Sequence, residues 1–125
     1  EFELQAAERE VFEAQLALEE NNFIDANNKS YQAMLKAARA LIRIENYDVE
    51  DSPEIIVQEF KTRFFDNKRF FDRYAKGKFG RYLLQRFDED EAEVIEDVSR
   101  RYVEESQLFI EAAHSCYARI SRGEV

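Results

Sequence analysis

Residues 23–45, FIDANNKSYQAMLKAARALIRIE, constrain the fold more than any other stretch of this chain. An aromatic–acid–Ala opening leads into Ala, Met and Leu, with polar residues kept to one side. Ser30, Ala33, Ala37, Ala40 and Ile44 recur at helical spacing and form one seam, which Met34, Leu35, Ala38 and Leu41 widen. Small residues let another helix approach closely, and they lose little side-chain entropy in doing so. The preceding segment supplies a partner. Leu4, Ala7, Val11, Ala14 and Leu18 share a stripe and predict a helix over 2–20. Asn21 and Asn22 end it, because Asn tolerates the left-handed conformation of a helix stop. So short a turn returns the second helix, predicted over 24–46, antiparallel to the first.

The rest of the chain continues in helices. Asn46–Ser52 is a polar loop, and Ser52 before Pro53 reads as an N-cap with Pro at the first helical position. Ile56, Phe60 and Phe64 repeat four apart in a third helix running from Pro53 to about Asn67. Gly77 and Gly80 predict a bend or loop inside Lys76–Gly80, and a shorter helical piece covers Arg81–Phe87. Asp88–Asp90 reads as an acidic turn before a long last helix over 91–121. Its stripe is Ala92, Ile95, Val98, Tyr102, Ser106, Phe109, Ala113, Cys116 and Ile120, and Gly123 stops it. With only three Gly and one Pro, the expectation is an all-α chain. Four major helices with short connections predict an antiparallel four-helix bundle, up-down, with room for a short fifth helix. The length predicts a single domain over 1–125. Its start without Met, already in helical register, reads either as a domain excised from a longer chain or as added residues at the N-terminus.

Charge and cysteine content exclude several function classes. The net charge of −9 argues against duplex DNA as a partner, because counterion release needs basic surface. The lone cysteine, Cys116, rules out an internal disulfide and fits a reducing, cytoplasmic compartment. No apolar run approaches the roughly 18 residues of a membrane span, and no signal peptide is visible.

The charge is unevenly spread. Residues 61–86, KTRFFDNKRFFDRYAKGKFGRYLLQR, hold nine basic and two acidic side chains, a charge of +7. The remainder holds nine basic and twenty-five acidic, a charge of −16. Phe64, Phe65, Phe70, Phe71, Tyr74, Phe79 and Tyr82 interleave with the cations. Aromatics can stack on bases while basic groups hold phosphates. The plainer reading makes the Phe residues core and pairs the cations with neighbouring acidic helices. The candidate docking residues for an anionic ligand or an acidic protein surface are Arg69, Arg73, Lys76, Lys78 and Arg81.

Other motifs carry less. Lys76-Gly77-Lys78-Phe79-Gly80 lacks both the spacing and the preceding strand of a phosphate loop, and reads as a helix break. His114 is a candidate general base by residue type, but it has no visible nucleophile or second histidine beside it. Glu111 and His114 make a single Glu-x-x-His, where a bundle metal site needs a second copy. The acidic pairs Glu89–Glu91 and Glu104–Glu105 offer only hard-cation ligands in principle. Cys116 falls on the apolar stripe as a small core residue. No catalytic residue, metal site or cofactor is assigned.

The hairpin at residues 4–45 resembles the HEPN family. The resemblance is carried by Ala14, Leu16, Leu18, Phe23, Ala26, Ser30, Tyr31, Ala33, Met34, Ala37, Ala38, Ala40 and Leu41. SYQAMLKAARALI matches that family's Tyr-containing, Ala-rich second helix, and Ile56–Phe60 loosely matches its third. The likeness covers about residues 4–65 and is architectural beyond. It implies a helical bundle that often pairs through helix faces. Some HEPN proteins are metal-independent RNases carrying Arg-x(4–6)-His on the last helix. Here the positions upstream of His114 are Gln107, Leu108 and Phe109, so the motif is absent. Other members partner with nucleotidyltransferases, and others are appended to larger enzymes, nitrite or sulfite reductase-like proteins among them. This chain holds no cluster ligand set of its own, because one cysteine cannot replace four.

These readings converge on a non-catalytic HEPN-like binding module, an accessory domain of a larger enzyme among its forms. The rival is a nucleotide- or RNA-handling HEPN protein, whether nucleotidyltransferase partner or RNase-like. The expected partner is a second copy or a parent-chain domain, since eleven Phe and six Tyr are generous for one small bundle. An anionic ligand or nucleotide is the further candidate.

Overall fold

The computed structural model describes residues 2–89 and 94–124, which are mostly helical and contain no strand. Five α-helices pack together: α1 (Phe2–Glu19), α2 (Phe23–Ile42), α3 (Pro53–Phe60), α4 (Lys78–Asp88) and α5 (Glu96–Ser121). A π turn, Lys61–Phe65, continues α3.

The α1–α2 hairpin turns at Asn21, which takes φ 61°. The Asn22 amide donates back to the Ala17 carbonyl at 2.8 Å, and the Asn22 side chain accepts the Asp25 amide at 3.3 Å. One residue therefore satisfies both helix ends. The ion pairs across the hairpin set its direction: Lys29 meets Glu13 at 3.0 Å, Lys36 meets Glu10 at 2.5 Å, and Arg43 meets Glu3. Partners move down α1 as they move up α2, so the two run antiparallel. Leu4, Ala7, Ala33, Ala37 and Leu41 have no exposed surface, in keeping with close approach along the small-residue seam.

The last helix lies over this hairpin. Tyr102, Ser106, Phe109, Ala113 and Cys116 are buried, and Val98 and Ile120 are half-buried. Ile95 precedes α5 and is exposed, and Asp90, Glu91 and Ala92 lie outside the described residues. An aromatic cluster joins α3, the π turn and α5. Phe70 meets Phe60 edge-on at 5.0 Å and stacks on Phe109 at 4.9 Å.

Helix α5 starts at Glu96 rather than near 91, and three further details differ from the sequence expectation. Helix α2 stops at Ile42 rather than near 46, because the amides of Glu45 and Asn46 both turn back to the Ile42 carbonyl, leaving Ile44 exposed. Ser52 precedes Pro53 at the start of α3, but its hydroxyl donates to the Glu54 carboxylate at 2.8 Å instead of capping an amide. Gly80 is inside α4 rather than in a loop. A Cβ there would sit 2.9 Å from the Phe65 ring and 3.2 Å from the Phe70 ring. The glycine admits two aromatic rings against the helix, and Gly77 alone marks the boundary.

Candidate functional site

Arg69, Arg73 and Lys76 lie on the connection between the π turn and α4, with Lys78 and Arg81 on the first turn of α4, and local hydrogen bonding gives that connection a defined shape. The Asp72 and Lys76 backbones exchange hydrogen bonds at 2.8 Å, closing a tight turn. Asp72 Oδ1 accepts the amides of Tyr74 and Ala75, each at 2.7 Å. Those two amides hold the Asp72 carboxyl below its usual range. Lys76 takes φ 59°, a left-handed conformation that costs a lysine about 1 kcal/mol and that the two closing hydrogen bonds offset. Phe70 anchors the near end of the turn in the aromatic cluster. Arg119 of α5 donates to the Arg69 carbonyl at 2.9 Å and ties the same end to the last helix.

The five candidate cations divide four to one. Arg73, Lys76, Lys78 and Arg81 are exposed, and among the described residues no carboxylate lies within 4.0 Å of any of them. Arg69 is half-buried and occupied: its guanidinium reaches Glu45 at 2.5 Å and the Arg63 carbonyl at 3.2 Å, and lies 4.6 Å from the Phe64 ring centre. It holds the structure together and leaves the other four to face solvent. Tyr74 projects from the tip of the turn, 84% exposed, with the Arg73 guanidinium 5.7 Å from its ring centre.

Helix α4 adds to this charge. Gly77 supplies no capping side chain, and the first turn contains no acid. Lys78 and Arg81 stand where the helix dipole already presents positive charge, the end at which acids are favoured. Backbone and side chains thus concentrate positive potential at one place.

A second polar constellation lies at the other end of α4. Arg86 packs its guanidinium between the rings of Tyr102, at 4.0 Å, and Tyr31, at 4.9 Å, and donates to the Asn27 carbonyl at 3.1 Å. Burial lowers its pKa, with Tyr102 and Glu89 working in the opposite direction. The Tyr102 hydroxyl donates to Glu89, and burial together with that bond raises its pKa. Burial likewise raises Glu105, on the same side of α5. Charge counting over 61–86 does not single out Arg86. Periodicity does: Phe79, Tyr82, Leu83 and Arg86 follow i, i+3, i+4, i+7, which places an arginine on the buried stripe of α4.

His114 does not join either group. Its Nε2 lies 2.5 Å from a Glu8 oxygen on α1. Glu111 is exposed, and no set of three or more metal-ligating side chains comes together among the described residues. Cys116 is fully buried, its thiol pKa raised by desolvation, and its Sγ approaches the Arg69 carbonyl at 3.4 Å. Among the described residues, no helix is long and apolar enough to cross a membrane. Comparison with protein-family models, with curated proteins and with solved structures finds no match to this chain.

Proposed function

We propose that this chain is a non-catalytic helical binding module that docks an anionic partner surface through the turn at Arg73–Arg81. One observation carries the reading: four exposed cations fall between Arg73 and Arg81, on the Asp72–Lys76 turn and the first turn of α4, with no carboxylate of the described residues within 4.0 Å. A chain of net charge −9 has ample acid to pair them internally, and Arg69 shows how that pairing looks. The uncapped start of α4 adds its dipole to the same point, so an incoming carboxylate or phosphate meets side-chain and backbone charge together. The HEPN-like reading, with an antiparallel four-helix arrangement and assembly as a pair or beside a parent enzyme domain, belongs to the same proposal and rests on the hairpin resemblance.

Tyr74 favours a second reading, in which the anionic partner is single-stranded RNA. An exposed ring beside a guanidinium offers a stacking surface for a base. Titration of the protein with polyglutamate, a mononucleotide and a short single-stranded RNA, at low and high salt, separates the two. A docking module binds polyglutamate in a salt-dependent way that Lys76→Glu with Lys78→Glu abolishes. Binding of RNA alone, weakened by Tyr74→Ala, selects the second reading. Failure of all three probes to bind at low salt overturns both. RNA incubated with the native chain should stay intact, because the Arg-x(4–6)-His pattern is absent.

A further inference from the structure

A groove runs between α3 with its π turn and α4, on a part of the molecule that the cationic turn does not use. Its volume is about 570 Å³, within the range of ligand-binding clefts. Val57, Leu84 and Phe87 supply its apolar side chains, Val57 being buried and Phe87 36% exposed. Along α3 and into its π turn the lining residues fall at Glu54, Val57–Gln58 and Lys61–Thr62, successive turns of one face. They span about 12 Å, the length of roughly two helical turns.

The rim is acidic. Glu54, Asp66 and Asp88 line it, with Lys61 as the one cation. Lys61 is already engaged, because the π turn makes residues five apart neighbours: its Nζ lies 3.0 Å from each oxygen of Asp66. Glu54 and Asp88 have no cation within 4.0 Å among the described residues. An apolar floor between two helices, under carboxylates without counter-ions, is complementary in both hydrophobicity and sign to one kind of occupant.

We infer that this groove receives a basic amphipathic helix of a partner protein, which lays its apolar face on Val57, Leu84 and Phe87 and sets its Lys or Arg side chains against Glu54 and Asp88. The occupant is a helix because the groove lies between two helices and runs for about two helical turns, with Leu84 and Phe87 three residues apart on one wall. The cations on its flanks set orientation and encounter rate, and the apolar anchors hold it in place. This surface is independent of the turn at Arg73–Arg81 and gives the module a second face of opposite sign.

The test uses a Leu/Lys peptide of about four turns with all leucines on one helical face. An isomer of the same composition, scrambled to remove that face, is the control. Fluorescence anisotropy should show the face-segregated peptide binding the native chain and the isomer binding at least about tenfold more weakly. Glu54→Lys with Asp88→Lys should weaken binding by a similar factor while circular dichroism shows an unchanged fold, since both residues are exposed. Phe87→Ser should weaken it at unchanged salt dependence, and Lys76→Glu with Lys78→Glu should not weaken it. Amide shifts on peptide addition should centre on α3 and α4. Equal binding of the two peptides, or undiminished binding by the Glu54/Asp88 variant, overturns the proposal, and so do shifts confined to other helices.

Discussion

Arg69 spans the gap between the π-turn connection and the end of α2, its guanidinium 2.5 Å from the Glu45 carboxylate and stacked on Phe64 at 4.6 Å. One arginine thereby locks the connection to the core hairpin while its sequence neighbours stay in solvent. Arg69→Ala removes an ion pair, a cation–π contact and the packing of a long side chain at once. Its cost should be about 1–2 kcal/mol. Lys76→Glu with Lys78→Glu should change stability by no more than about 1 kcal/mol, because both side chains are exposed. Urea unfolding of the two variants side by side reads the difference. Equal losses would place all these cations in one class.

Arg86 should behave as a buried anchor. Arg86→Ala leaves the Asn27 carbonyl short of a charged donor and separates two tyrosine rings, so we expect a loss of about 2–3 kcal/mol. Arg86→Lys should recover less than half of this, since an ammonium cannot lie flat between two rings while it donates in a fixed plane. A lysine variant as stable as the native chain would show that charge alone holds α4 down.

The two glycines at the start of α4 should respond differently. Gly80→Ala gains about 1 kcal/mol of helix propensity but drives a Cβ to 2.9 Å from Phe65 and 3.2 Å from Phe70. Overpacking of this kind costs about 1–3 kcal/mol, so the net change should be destabilising. Gly77→Ala meets its nearest neighbour, Phe65, at 3.5 Å, an ordinary contact, and its backbone φ of −89° suits any residue. It should be neutral. Thermal midpoints of the pair decide the matter, and a stabilised Gly80→Ala would show that the rings can withdraw.

Glu45 should make stability depend on acid pH. Partial burial pushes its carboxyl up, but the hydrogen bonds and charges of Arg69 and Arg63 outweigh burial and hold its pKa below the ordinary 4.5. A carboxyl lowered by folding contributes stability above its unfolded pKa and loses it as pH falls through the folded value. The native chain should therefore be more stable than Glu45→Gln at neutral pH, and the two should converge as pH drops well below 4.5. Denaturant midpoints at several pH values measure this. A gap that stays constant down to acid would mean that the charge of Glu45 contributes nothing.

What is legible in the sequence is what has a local period. The seam Ala33, Ala37, Ala40 and the stripe Leu4, Ala7, Val11 each lie on one helix, and the two-residue Asn turn leaves them only one way to meet. Gly80 misleads, because glycine's local meaning is a break and its use here is spatial: two rings from a distant turn need room against α4. Arg69 and Arg73 are indistinguishable in a charge count. Only the return of the chain past Glu45 makes the first a structural tie and leaves the second at the surface. The Arg86 clamp is half legible, since its helical spacing places it inward but cannot name Tyr31 and Tyr102 as the rings that enclose it. The groove between α3 and α4 has no sequence signature. Glu54 and Asp88 stand far apart in the chain and become one rim only through packing, because an electrostatic field depends on distance in space and a period records only distance along the chain.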